Sequence, residues 1–331
     1  MVLFPNIISV QQNDVYLAHI FVKMEKTNCP ICNGKLSTPF MAREMMLGLR
    51  HEFPYTQCIA CNTIQSLDMP QSLDAYYPDY YYSFTQEVQP LQKPSLTTKI
   101  KRVLRKHFGS PHGILPQLKP IGTKLDDKIL DIGCGKGKLI CEMFNQGFTD
   151  VQGVDKFIPL EYDYGNGVKI LKKDIAELQK NSYDLLMMHH VFEHVENPIE
   201  ELGKCYELLK KDGYLMIRIP VVGKPWEIYR ENWIQLDAPR HAFIYTSESM
   251  KILANKTGFD LINVVYDSMG FQFWGSELYK KDISLVNEQK KYRIAEDYFS
   301  KSEIATFETE ALKLNKNKEG DMAIFYLRKK D

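Results

Sequence analysis

Apolar and polar positions change period along the chain, and the change is clearest after residue 120. KILDI (128–132) is an apolar run too short for a helix, and LICEMF (139–144) then shows helical spacing. VQGV (151–154), VKIL (168–171), YDLLMMHH (183–190) and GYLMIRIP (213–220) read as further strands. Between the fourth and fifth lies a helix, for which Asn197 is the expected N-cap, Pro198 the first position and Gly213 the stop. Strand and helix in alternation predict an α/β domain over 121–331 with a mostly parallel sheet and ligands at the carboxyl ends of its strands.

Before residue 120 the periodicity weakens. Residues 24–70 form a small module without a long apolar run, and SLDAYYPDYYYSF (72–84) is a tyrosine-rich segment that could strap the fold or cover a ligand. TTKIKRVLRKHF (97–108) places Ile100, Val103, Leu104 and Phe108 on one stripe among basic residues. The expectation is a linker helix, with Lys99–Phe108 the one segment suited to peripheral membrane contact.

Composition narrows the partners. The 331 residues, 44% of them hydrophobic, suffice for one sizeable core and an appendage. The 42 basic and 42 acidic residues cancel, so no global field draws in nucleic acid. No uncharged apolar run reaches the roughly 18 residues of a membrane span, and the amino-terminal segment lacks a basic leader. A cytoplasmic protein is the expectation, in which thiols stay reduced.

The cysteines then acquire a meaning. Cys29–Cys32 and Cys58–Cys61 are two C-x2-C knuckles with 25 residues between them. Each can aim two thiolates at one point, and four complete a closed tetrahedral zinc site that folds a segment too small for its own core. His51 is the alternative fourth ligand, which would leave one thiol over.

KILDIGCGKGKLI (128–140) carries the strongest chemical signal. Gly133, Gly135 and Gly137 follow the strand at alternate positions and open the helix, where glycine permits a tight turn and close approach of a ligand to the backbone. A dinucleotide fingerprint would want glycine at 138, which is Lys138, so a nicotinamide cofactor is disfavoured. Asp155 ends the second strand 20 residues after Gly135, and Asp174 ends the third.

With D-x-G-C-G-x-G, Asp155, Asp174 and the strand leading to E-H-V, residues 120–331 resemble a class I S-adenosylmethionine-dependent methyltransferase. That resemblance implies a Rossmann-like seven-stranded sheet whose last strand is antiparallel, with LINVVYDS (261–268) and DMAIFYLR (321–328) similar to its closing pair and the charged stretch 280–312, mostly helical in composition, an insertion between them. It implies that Asp131 and the turn Gly133, Cys134, Gly135 and Gly137 face the methionine part of the cofactor. Asp155, followed by Lys156, would meet the ribose, Asp174 with Ile175 the adenine, and His189 the cofactor from the fourth strand. The cysteine knuckles, the YYPDYY stretch and LDAPRHAFIYTSESMKILANKTGF (236–259) are similar to methyltransferases of bacterial surface-polysaccharide and sugar pathways. Those begin near the position of Met24 here, so residues 1–23 are expected to be a loose extension.

MMHHVFEHVENP (187–198) places His189, His190, Glu193 and His194 beside the reacting methyl by the same resemblance. His190, Glu193 and His194 stand at i, i+3 and i+4, on one face of a single helical turn. His241 could arrive from a neighbouring loop. A hydroxyl acceptor must lose a proton, so these four are the candidate catalytic residues, with a histidine as base. They also resemble the E-x-x-E-H plus distant His constellation of metal-dependent O-methyltransferases, with His190 where the first glutamate would be. A second divalent metal is therefore the competing expectation. Trp226, Tyr229, Trp233 and Arg240 are expected to line the acceptor pocket. The expected acceptor is a sugar, glycan or other small-molecule hydroxyl. An RNA methyltransferase with a zinc module, or a non-catalytic docking module, is the alternative.

Overall fold

The computed structural model describes residues 27–85, 88, 91 and 114–330. The expected extension 1–23 and the basic segment Lys99–Phe108 lie outside the described residues. Among those described, no helix is long and apolar enough to cross a membrane.

The two knuckles fold alike. Asn33 and Asn62, directly after Cys32 and Cys61, adopt left-handed φ of 63° and 57°, a region asparagine tolerates. Their N–H groups donate back to the carbonyls of Cys29 and Cys58 at 2.8 and 3.0 Å. Three short strands surround this pair: β1 (Phe40–Arg43), β2 (Glu52–Gln57) and β3 (Ile64–Ser66), each antiparallel to the next.

The main sheet is built from β4 (Lys128–Ile132), β5 (Asp150–Val154), β6 (Tyr162–Asp163), β7 (Lys169–Leu171), β8 (Tyr183–His189) and β9 (Leu209–Pro220). It is completed, after β10 (Phe243–Ile244) of the small sheet, by β11 (Phe259–Tyr266) and β12 (Met322–Lys329). Its order is β11-β12-β9-β8-β4-β5-β7-β6. β4, β5, β7, β8 and β9 run parallel, and β12 is antiparallel to both its neighbours. This is the methyltransferase-type sheet expected, with a two-residue edge strand, β6, added as an eighth.

Strand alternation sorts the core onto two faces. Ile129, Leu185, Met187, Met216 and Ile324 pack under helix α1 (Lys138–Gln146). Leu130, Leu186, Met188, Ile217 and Phe325 face α2 (Pro198–Leu208) and, beyond α3 (Lys224–Tyr229), the helix α4 (Ser247–Lys256). Helix α2 begins at Pro198 as expected, but Asn197 makes no side-chain cap bond. It ends at Leu208, earlier than Gly213 suggested, because Leu209 is already extended and opens β9. Between β11 and β12 stand α5 (Phe271–Lys280), a largely irregular stretch at 281–300, and α6 (Lys301–Asn317).

The cysteine module is not an independent unit. β10, from the chain after β9, pairs with β3 and becomes the fourth strand of the small sheet. Ala42, Met45, Tyr55 and Ile64 of the module share one apolar cluster with Trp226, Tyr229, Trp233, Phe273 and Leu314.

Candidate active site

The turn after β4 leaves Gly135 at φ 55° with open space where a Cβ would stand, and Gly137 at φ 80° against Ile170. Such a turn lets a ligand reach the backbone. Asp131, at the end of β4, is buried with Oδ1 unpartnered. Burial, and then the Asp155 charge, push its carboxyl up to about 8. An unpartnered buried carboxylate oxygen fits a cationic ammonium such as the amino-acid end of the implied cofactor.

Asp155 accepts from the N–H of Gly135 at 2.9 Å and of Phe157 at 2.8 Å, which locks the turn to the end of β5. Asp174 caps the short turn Ile175–Glu177, accepting from Ala176 N–H at 3.0 Å, and its second oxygen lies 3.7 Å from Lys156 Nζ. Ile175 is buried. Burial of Cys134 pushes its thiol well up, so it stays neutral in the turn. His189 closes β8 with Nε2 buried and unpartnered, and burial holds its imidazole down to about 3, hence neutral. The residues expected to hold the cofactor thus lie along the carboxyl ends of β4, β5, β7 and β8.

Beside them opens a cavity of about 360 Å³. His190, Glu193, His194 and His241 all line it. They are not, however, arranged as the helical spacing predicts. His190 leaves β8 at φ 55°, and only Phe192–His194 make a 3-10 turn, so His190 does not share a helical face with Glu193 and His194. Its Nε2 accepts from Arg218 Nη1 at 2.6 Å, and its Nδ1 lies 3.4 Å from Glu193 Oε1 without hydrogen-bond geometry.

The other three come together. One ring nitrogen each of His194 and His241 and an oxygen of Glu193 lie within 4.8 Å of one another. His194 Nδ1 donates to the Arg240 carbonyl and His241 Nδ1 to the Gln235 carbonyl, both at 2.8 Å. In its neutral form each ring then keeps a lone pair on Nε2. Burial pushes the His241 imidazole down to about 4, against the pull of Asp237. Glu193 is fully buried with neither oxygen hydrogen-bonded. Burial would raise its carboxyl, but His190 and the two other imidazoles hold it below the usual range, so it is ionised.

The aromatic walls differ from those expected. Trp226, Tyr229, Trp233 and Arg240 do not line the cavity. The first three belong to the shared apolar cluster, and Arg240 is fully buried against Asp237 and Glu44. Tyr81, Tyr82, Phe271, Trp274 and Tyr292 line it instead. The tyrosine-rich segment is both strap and wall: Tyr76 packs on Phe53, while Tyr81 and Tyr82 reach the cavity. Asp267 was missed although a signal existed. It follows β11, which runs in the direction of the parallel strands, so it too stands at a carboxyl end. It takes Arg218 Nε at 2.6 Å and leaves Oδ1 unpartnered.

The four cysteines converge as their spacing predicts. Cys29 Sγ lies 3.8 Å from Cys61 Sγ and Cys32 Sγ 3.4 Å from Cys58 Sγ. Tetrahedral zinc with bonds of about 2.3 Å sets sulfurs about 3.8 Å apart, so these thiols could hold it. The N–H of Gly34 donates to Cys32 Sγ and that of Cys61 to Cys58 Sγ. His51 is engaged elsewhere, with Nδ1 3.0 Å from Tyr76 Oη.

Residues 99–264 match the family described as methyltransferase domain. The chain is 25% identical over 176 residues to a tRNA U34 carboxymethyltransferase of Aeromonas hydrophila subsp. hydrophila, covering 47% of this chain and 50% of that protein. It is 26% identical over 172 residues to a ubiquinone biosynthesis O-methyltransferase of Maricaulis maris, covering 44% and 65%. The chain thus spans between half and two thirds of the length of these relatives. A solved 1,6-didemethyltoxoflavin-N1-methyltransferase of Burkholderia thailandensis, bound to S-adenosylhomocysteine, aligns over 74% of this chain and 94% of its own with 15% identity and a TM-score of 0.40.

Proposed function

The chain belongs to the methyltransferase-domain family of S-adenosylmethionine-dependent enzymes, and from that premise we propose that it methylates a hydroxyl of a sugar, glycan or other small molecule with His194 as general base. Bound S-adenosylmethionine supplies a sulfonium methyl already activated for attack. The protein therefore has to align the acceptor, exclude water and take a proton. Asp131, the turn Gly133–Gly137, Asp155 and Asp174 would hold the cofactor along the strand ends, with Cys134, Lys156, Ile175 and His189 around it.

The observation that carries this reading is the pair of imidazoles whose Nδ1–H groups are taken by carbonyls beside an ionised Glu193 that has no hydrogen-bond partner. His241, held down to about 4, is a weak base at neutral pH, and its Nε2 suits accepting a hydrogen bond from a second hydroxyl of the acceptor, which orients the reacting one toward His194. His194 then receives the proton, and Glu193 stabilises the resulting imidazolium. The aromatic walls suit the apolar faces of a sugar ring. The four thiolates of the N-terminal module hold one structural zinc.

Labelled S-adenosylmethionine, screened against nucleotide sugars and oligosaccharides, tests the proposal. Transfer is expected, with His194→Ala lowering turnover by about 10²–10⁴-fold while cofactor binding persists. Unchanged turnover in that variant refutes the base.

Two observations favour variants of this reading. Two imidazoles and a carboxylate, with each Nδ1–H fixed by a carbonyl, also make a donor set for a divalent cation. Turnover lost to a chelator and restored by metal selects it. The tRNA-modifying relatives favour an RNA acceptor. Affinity for RNA rests on phosphate contacts and falls with salt, so a salt-independent acceptor affinity excludes it.

A further inference from the structure

Both imidazoles are held by carbonyls, and those carbonyls belong to a loop that the N-terminal module grips. Tyr55, fully buried on β2, donates its hydroxyl to the His241 carbonyl at 2.7 Å. Ser66 N–H, at the end of β3, donates to the Ala242 carbonyl at 2.9 Å, and Ala242 N–H donates to the Glu193 carbonyl at 2.8 Å. Arg240, whose carbonyl receives His194 Nδ1–H, is itself fully buried. Its guanidinium donates to Glu44 Oε1 at 3.2 Å, to Asp237 Oδ2 at 2.8 Å and to the Tyr76 carbonyl at 3.1 Å. Glu44, also fully buried, is fixed in turn by the N–H groups of Leu47 and Leu49, at 2.8 and 2.9 Å.

We propose that Glu44 and Tyr55 are positioning residues of the active site: through Arg240 and the 240–242 backbone they hold His194 and His241 as Nδ1–H tautomers with Nε2 available to the acceptor. The module would then be a working part of the catalytic machinery. The physical logic is short. An imidazole's tautomer is set by which nitrogen finds an acceptor, so moving either carbonyl releases the ring. Without the Glu44 charge the buried guanidinium keeps only Asp237 and the Tyr76 carbonyl, so it shifts toward them, carrying its own carbonyl with it. Tyr55 acts on the second ring by a single hydrogen bond to the backbone of His241 itself.

This inference rests on His194 and His241 being the proton-handling pair, but its test needs no acceptor. The full zinc-loaded chain, labelled with ¹⁵N-histidine, is studied by long-range ¹H–¹⁵N correlation in the wild type and in Tyr55→Phe and Glu44→Gln. Lys256→Met serves as control, since it removes a different bond between module and domain, Lys256 Nζ to the Ile31 carbonyl at 2.7 Å. In the wild type, each ring is expected as one Nδ1–H tautomer. Tyr55→Phe should turn the His241 signals into a mixture of tautomers, and Glu44→Gln those of His194, while Lys256→Met changes neither. Affinity for S-adenosylmethionine should stay within about twofold throughout, because the cofactor cradle lies on other strand ends. If Glu44→Gln does not fold, Tyr55→Phe, which keeps the ring in place, decides alone. Wild-type tautomer signals in the folded variants overturn the proposal, as do equal changes in Lys256→Met, which would mean that the module only adds stability. Failure here would leave the base assignment standing, whereas failure of the turnover screen would not affect these signals.

Discussion

Asp131 should report cofactor binding through its proton. An exposed aspartate ionises near 3.8, whereas burial and the Asp155 charge bring Asp131 up to about 8. The folded free protein therefore binds one more proton than the unfolded chain between those values, and its stability falls as pH rises through that window. A ligand ammonium beside Oδ1 favours the ionised form and removes this penalty. Binding of S-adenosylmethionine should thus release a proton at pH 7 and tighten by up to about tenfold per pH unit between pH 6 and 8. Calorimetry in buffers of different ionisation enthalpy would measure both effects, and Asp131→Asn should weaken binding and flatten its pH dependence. Binding that is independent of pH would place the ammonium elsewhere. Asp131 was legible because it ends a short apolar strand just before a glycine turn, a purely local signal. His190 was misplaced because an i, i+3, i+4 spacing has meaning only inside a continuous helix, and the chain breaks at φ 55° to leave the strand. No local pattern announces that break, which is tied to Arg218, 28 residues further on.

At the scale of elements, the β4–α1 turn allows two glycines to be separated by what surrounds them. A Cβ on Gly137, at φ 80°, would stand 2.3 Å from Ile170 Cδ1, whereas one on Gly135, at φ 55°, would meet nothing within 4 Å. Gly137→Ala should therefore combine left-handed strain of about 1–2 kcal/mol with overpacking of about 1–3 kcal/mol. It should lower the denaturant midpoint clearly, with the slope unchanged. Gly135→Ala should cost only the strain, and its main effect should be weaker cofactor binding, because the added methyl occupies the side left open to a ligand. Equal destabilisation by both would contradict this division. The strands around the turn were legible because a buried parallel sheet needs short continuous apolar runs. β10 was not: its two residues carry no period, and they pair with β3 across some 180 residues of sequence. Phe271, Trp274 and Tyr292 of the cavity wall were missed for the same reason, whereas Tyr81 and Tyr82 belong to the segment read as strap or cover. Tyr81 and Trp274 line one cavity because the tyrosine-rich segment and α5 close over the same strand ends, while the aromatics nearest the expected site went into the core cluster.

Over the whole molecule, the shared sheet should couple the proposed zinc site to active-site order. A four-cysteine zinc site contributes on the order of 10–16 kcal/mol to the folding of a small module, comparable to the entire stability of a domain, about 5–15 kcal/mol. The module around Cys29, Cys32, Cys58 and Cys61 should therefore not survive loss of its metal. Its sheet ends in β10, its cluster includes Trp226 and Trp233, and Thr246 at the start of α4 donates to the Cys61 carbonyl at 2.8 Å. Melting should consequently spread to the loop that bears His241 while leaving α1, which packs on the opposite face of the main sheet from α2 and α4, largely intact. Purified protein should contain one zinc per chain that resists mild chelation. After forced release by a thiol-modifying reagent, hydrogen exchange should accelerate across residues 27–66 and 237–246 together, and turnover should be lost before cofactor affinity. Protection that disappears from 27–66 alone would show that the two sheets' contacts are too weak to couple them. Zinc-free protein with wild-type protection throughout would show that apolar packing alone folds the module.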